Sequence, residues 1–163
     1  GSAAATARPS AIPLSPVELS RPDAMQDGKP RVLVVDDVEL NLMVARAMIG
    51  SLGAHVVSAT GGSQALELLG RDRFALVLMD CHMPEIDGYE VTRRVRAATG
   101  VNGNTPIVAL SASAFAEDRQ RALESGMNDF APKPIELNGL STLLGRWIPG
   151  FQPARPTTAS SAT

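Results

Sequence analysis

Residues 76–88 read LVLMDCHMPEIDG. An unbroken apolar run stops at a carboxylate, Asp80, and a loop with Pro84, Asp87 and Gly88 follows. Residues 32–37, VLVVDD, repeat the arrangement: four apolar residues, then Asp36 and Asp37. Apolar runs without alternation suit strands covered on both faces, as in a parallel sheet. Further runs of strand length lie at His55–Ala59, Ile107–Leu110 and, more weakly, Asp129–Ala131, and the acceptor run itself begins at Phe74. Helical stretches follow each. Leu42, Ala45, Ile49 and Leu52 recur at steps of three and four, as do Leu137, Leu140, Leu144 and Trp147 or Ile148. Gly53 and Gly126 stand where helix C-termini need a positive φ. Five βα units in this span predict an open doubly wound α/β domain. Such sheets place functional groups beyond the carboxyl ends of their strands.

The flanks read differently. Of twelve prolines, only Pro84, Pro106, Pro132 and Pro134 fall within 31–148. Residues 1–29 therefore read as a flexible Pro/Ala-rich linker, 30–148 as the domain and 149–163 as a disordered tail. Gly1-Ser2 without a starting Met reads as a scar of recombinant expression, and the chain as a piece of a longer protein. A formal charge of −2 gives no broad surface for nucleic acid or anionic membrane. No apolar run approaches the ~20 residues that span a bilayer. The single cysteine, Cys81, excludes an internal disulfide and a multi-cysteine zinc site, and fits a small buried hydrophobe in a reducing, cytoplasmic setting.

Four of the five predicted strands deliver a polar group to one edge: Asp36-Asp37, Asp80, Ser111 (PIVALSAS) and Lys133 (NDFAPKPI). Lys133 is one of only two lysines. Neighbouring strands lie ~4.8 Å apart. Carboxylates about 5 Å apart repel by about 3 kcal/mol at an effective dielectric near 20. Such a cluster binds protons or a cation. All-oxygen ligands with room for water suit Mg²⁺. A carboxylate beside a metal, a lysine and a hydroxyl is a plausible phosphoryl acceptor, because that transfer needs alignment and charge neutralisation above all.

Together VLVVDD, MDCHMPEIDG, ALSA and FAPKPI resemble the phosphoacceptor receiver domain of bacterial two-component signalling, over about 31–148. The resemblance implies a flavodoxin-like five-stranded parallel sheet of order 2-1-3-4-5 with five helices. It implies Asp80 as the phosphorylated residue. Asp37 and Asp80 become Mg²⁺ ligands, with the backbone carbonyl of His82, and Asp36 acts mostly through water. Ser111 and Lys133 hold phosphoryl oxygens. Ser111 and Phe130 become the switch that repacks the face of the fourth helix, fifth strand and fifth helix. The fourth helix offers only a thin apolar stripe: Ala114, Ala122, Leu123 and Phe115. The Lys133-Pro134 bond is expected cis. His82 and Ser113 stand where they tune the lifetime of the phosphoryl group.

Plainer readings stand beside these. Asp36 and Asp37 suit a helix N-cap pair, Phe130 suits core, and Arg93, Arg94 and Arg96 suit a solvated helix face. VDDVELNLMVARAMI resembles receivers fused to hybrid sensor histidine kinases, whose parent can be anchored in the inner membrane. Expected partners are the kinase's dimerisation and phosphotransfer domain and a histidine phosphotransfer protein. The domain itself is expected to do no more than lose its own phosphoryl group. Two other functions remain open at this point. A phosphohydrolase of haloacid-dehalogenase type needs Asp-x-Asp, whereas Asp36 and Asp37 are adjacent. A docking scaffold takes no phosphate at all.

Overall fold

Each apolar run becomes a strand. The computed structural model describes residues 24–26, 28–98, 100, 102–112 and 116–153. In chain order these form β1 (Met25–Gln26), β2 (Lys29–Val35), α1 (Glu39–Ser51), β3 (His55–Ala59), α2 (Gly62–Arg71), β4 (Leu76–Asp80), α3 (Gly88–Ala97), β5 (Ile107–Ser111), α4 (Ala116–Ser125), β6 (Asp129–Pro132) and α5 (Leu137–Trp147). Five strands pair in parallel in the order β3-β2-β4-β5-β6. This is the order 2-1-3-4-5 once the short β1 is set aside.

Alternate residues of each run enter two separate cores. Leu33, Val35, Val77, Met79, Ile107 and Ala109 face α2, α3 and α4. Val32, Val34, Leu76, Leu78, Val108 and Leu110 face α1 and α5. Burying each such side chain contributes roughly 1.5–3 kcal/mol, so neither face tolerates a polar substitution. The helices answer in register: Leu42, Ala45, Ile49 and Leu52 are buried on and just beyond α1, and Leu140, Leu144 and Ile148 on and just beyond α5. Trp147 is half-buried and spends its indole N–H on Asp129 at 2.9 Å. Gly53 and Gly126 take φ 102° and 108°.

The ordered fold runs past 30–148 on both sides. Met25 and Gln26 pair antiparallel with Pro30 and Lys29, turning through Gly28 at φ 77°. Ala24 is buried. Beyond α5, Phe151 packs on the α1–α5 core. Proline content marked the flanks as linker and tail, yet a two-residue strand and one aromatic contact need very little sequence. Residues 1–23, 27 and 154–163 lie outside the described residues.

Asn102 locks the connections beneath the sheet. Its Oδ1 accepts from the Phe74 N–H and the Thr105 hydroxyl, both at 2.9 Å. Its Nδ2 donates to the Leu69 and Asp72 carbonyls at 2.7 and 2.6 Å. A buried amide with its capacity used in this way fixes the register of the chain entering β4.

Gly88 sets the distance between α3 and the end of β4. A Cβ there would overlap the Asp80 carbonyl oxygen and come within 2.8 Å of Met79 Cγ. Gly88→Ala is expected to lose roughly 1–3 kcal/mol by overpacking, read as a lowered urea midpoint with unchanged slope. An unaltered midpoint would show that α3 can yield.

Candidate functional site

Parallel strands end together, and here the register brings their last residues to one rim. Val35 pairs with Met79, so Asp36 follows β2 where Asp80 closes β4. Asp80 is level with Leu110, and Ser111 with Pro132, which places Lys133 directly after β6. Carboxylate oxygens of Asp36, Asp37 and Asp80 lie within 4.8 Å of one another. Asp36 and Asp80 are buried at 2% and 3% exposure, while Asp37 is exposed. The Lys133 ammonium reaches back across the sheet to 3.2 Å from Asp36 Oδ2 and 3.3 Å from Asp80 Oδ1.

Asp36 is held in place by more than charge. Its Oδ1 accepts the Val38 N–H at 2.9 Å, and its Oδ2 the Asn41 amide at 3.1 Å. The plainer reading of Asp36 and Asp37 as a helix N-cap pair does not hold: the N-cap of α1 is Val38, with no side-chain cap, and Asp36 instead accepts the Val38 N–H while facing the site. Asn41 was not singled out from sequence. Its position in the first turn of the helix that follows Asp36 was the available signal, since that turn returns over the strand end.

The electrostatics follow from this burial. Desolvation pushes the Asp80 carboxyl above the ordinary aspartate range; the nearby Lys133 charge opposes the rise and Asp36 adds to it. Burial alone would lower the Lys133 ammonium, but Asp80 and Asp36 outweigh it and hold the lysine above its usual value. Two buried carboxylates and one exposed one, close enough to share a small ion, are a donor set that fits a hard divalent cation.

The loop after β4 turns back against Asp80. The His82 N–H donates to Asp80 Oδ1 at 3.2 Å. The His82 side chain is exposed, and Cys81 is fully buried, as a small hydrophobe would be. Glu85 takes φ 71°, a left-handed conformation uncommon outside glycine. Asp87 caps α3 by accepting the Glu90 N–H at 2.9 Å. The Lys133-Pro134 bond is cis.

Ser111 is fully buried at the end of β5, and its carbonyl accepts the Lys133 N–H at 2.8 Å. Phe130 is half-buried, packed against the α2–α4 core with the Arg119 guanidinium 5.6 Å from its ring. The core reading describes that position in part. Ser113, Ala114 and Phe115 lie outside the described residues.

Two expectations need correction. Arg93 and Arg94 are exposed and pair with Glu90 at 3.0 and 2.9 Å, but Arg96 is no solvated residue. Its guanidinium donates to the carbonyls of Gly126 and Gly103 and to Asn128 Oδ1. It sits where α3 ends against the turn after α4, a contact that helical periodicity does not reveal. Leu123 is 57% exposed and no part of an inward stripe. Among the described residues α4 buries only Ala122 and Ser125.

Comparison with known proteins agrees with this arrangement. The model of the response regulator receiver domain matches residues 32–144. Sensor protein GacS of Pseudomonas syringae pv. syringae is 40% identical over 120 residues, covering 72% of this chain and 13% of that protein. Virulence sensor protein BvgS of Bordetella bronchiseptica is 42% identical over 114 residues, covering 68% of this chain and 9% of that protein. The chain thus spans a small part of these relatives' length. Among solved structures, the receiver domain of sensor histidine kinase PA1611 from Pseudomonas aeruginosa PAO1 is 40% identical with a TM-score of 0.69, covering 74% of this chain and 98% of that one. That structure carries a magnesium ion coordinated in its active-site cleft.

The raised Asp80 carboxyl has a sign that can be measured. A carboxyl whose folded pKa exceeds its unfolded value binds more protons when folded. Its ionisation therefore costs stability as pH rises from the unfolded value, 3.8, through the folded one. Asp80→Asn removes that cost. In urea unfolding without divalent ions, the variant's advantage over the native chain is expected to grow as pH rises from about 4 to 7. A gap that stayed constant would contradict the burial argument.

Proposed function

The chain belongs to the response regulator receiver domain family, and from that premise we propose that it is the phosphoacceptor module of a hybrid histidine kinase phosphorelay. The observation that carries the reading is the Lys133 ammonium poised within 3.3 Å of both Asp36 and Asp80 beside a three-carboxylate cluster. In the proposed transfer, an Asp80 oxygen attacks the phosphorus of a partner's phosphohistidine. The P–N bond breaks and the imidazole nitrogen keeps the electron pair. Asp80 Oδ1 is engaged by the His82 N–H and by Lys133, so we assign Oδ2 as the nucleophile.

Asp36, Asp37, Asp80 and the His82 backbone carbonyl are the groups that would hold Mg²⁺. Bound there, the ion supplies charge neutralisation and open positions for phosphate oxygens. Lys133 has two carboxylates to balance at rest and gains a phosphoryl oxygen when Asp80 is modified. Ser111 offers its hydroxyl to another. A serine lacks the methyl that stiffens threonine's χ1, so its approach is guided by packing alone. Phe130, without a phenolic hydroxyl, signals by packing as well, through the α4–β6–α5 face. His82 and Ser113 tune hydrolysis.

The donor in this reading is the dimerisation and phosphotransfer domain of a kinase in the same parent chain, with a histidine phosphotransfer protein as the other exchange partner. Histidine kinase activity belongs to that parent. No helix among the described residues is long and apolar enough to cross a membrane; placement in the cytoplasm is part of the proposal. The haloacid-dehalogenase alternative finds no support, since β2 is followed by adjacent aspartates and the receiver model spans the domain.

A small-molecule phosphodonor tests the assignment. With Mg²⁺ the native chain is expected to gain the mass of one phosphoryl group, and Asp80→Asn to gain none. Labelling of that variant, or labelling that persists in a chelator, would move the acceptor elsewhere; no labelling of the native chain favours a docking scaffold. His82→Ala is expected to change the half-life of the labelled chain several-fold, and an unaltered half-life removes the tuning role.

A further inference from the structure

Tyr89, in the first turn of α3, is fully buried in the core that α2, α3 and α4 share. It touches three parts of the molecule at once. The His82 ring of the acceptor loop meets it edge-on at 6.1 Å between centroids. The Arg121 guanidinium, from α4, lies 4.3 Å over its face and 3.7 Å from Asp87 Oδ2. Cys81, next to the acceptor in sequence, is buried beside it. Yet among the described residues the Tyr89 hydroxyl is left without a well-formed hydrogen bond. The neighbouring thiol is a weak acceptor and does not satisfy it.

A buried hydroxyl left unsatisfied is costly, and in a native structure it calls for a reason. α4 supplies one. Its C-terminal end is pinned, because Arg96 Nε donates to the Gly126 carbonyl at 2.9 Å and Arg96 Nη2 to Asn128 Oδ1 at 2.7 Å. With so little of the helix buried, it can pivot about that end. The first turn, which then moves, carries Glu117 and Asp118. Asp118 is partly buried and stands one helical turn before Arg121, the residue that lies over the Tyr89 ring, so both side chains lie on the same face of α4. A small swing of that turn puts a charged acceptor on the phenol, and an O–H to carboxylate bond is among the stronger hydrogen bonds.

We propose that Tyr89 is a positioning residue coupling the acceptor to α4, its hydroxyl orphaned at rest and donated to Asp118 once Asp80 is occupied. The inference rests on the receiver reading. Ser111 closes β5 and α4 begins at Ala116, so the end of the helix that has to move is the one nearest in sequence to the hydroxyl that a phosphoryl group would draw. The resting arrangement alone carries the unsatisfied hydroxyl. That difference biases the equilibrium toward the occupied arrangement, as a population shift requires.

The test is a double-mutant cycle on the intact chain, read by calorimetric titration with beryllofluoride in Mg²⁺. Tyr89→Phe and Asp118→Ala are each expected to weaken binding by about tenfold, equivalent to 1.4 kcal/mol, and the double variant no further than either. Without beryllofluoride, Tyr89→Phe keeps the ring and its Arg121 contact and is expected to unfold at no lower temperature than the native chain. Binding by Tyr89→Phe within about twofold of native, or additive losses in the double variant, would overturn the coupling. So would a lowered unfolding temperature, which would mean that the hydroxyl is already satisfied at rest. A native chain that takes no beryllofluoride fails at the receiver reading itself, and the coupling goes with it.

Discussion

One ammonium group makes the rim possible. Two nearly buried carboxylates, Asp36 and Asp80, stand close enough to repel by about 3 kcal/mol or more at an effective dielectric near 20. Lys133 meets both, at 3.2 and 3.3 Å. On the same scale each attraction is about 5 kcal/mol, so the pair of attractions outweighs the repulsion. The surplus is reduced by the cost of taking three charges out of water. Asp80 shows which term wins locally: its carboxyl remains raised despite the lysine. The arrangement leaves Asp80 short of full electrostatic satisfaction.

That balance depends on the sheet. The lysine belongs to the segment after β6, two strands from β4, and only parallel registry with coincident strand ends brings it into range. The two cores hold the strands in that registry by burying alternate residues on opposite faces. A slip of one residue would exchange the faces and carry the carboxylates off the rim with them. Gly88 and Asn102 serve the same end. The first lets α3 press against the β4 terminus, and the second fixes the chain where it enters that strand.

What the sequence made legible was what lies on one element at a time. Apolar runs ending in Asp36, Asp80, Ser111 and Lys133 are local signals, and parallel topology is enough to bring such ends together. Contacts that join distant elements were not legible. Arg96 has the sequence context of any exposed helical arginine, yet it reaches the turn after α4. Asn41 and Tyr89 carry no motif that marks their use. The short pairing at Met25–Gln26 and the packing of Phe151 were hidden by proline-rich surroundings, because composition averages over single contacts.

The unevenness of α4 connects these observations. α4, the helix that follows β5 in the chain, is secured at its far end by a guanidinium and buries very little along its length. The strand that ends in Asp80 and its neighbour are wholly buried by comparison: every residue of β4 and β5 is buried. A charge added at Asp80 therefore meets a rigid sheet beneath it and a loosely held helix beside it. Rearrangement follows the softer direction, since local opening draws on the least anchored elements. The Arg96 anchor then decides the form of that motion, a pivot rather than a release, and a pivot delivers its largest displacement to the turn nearest the acceptor.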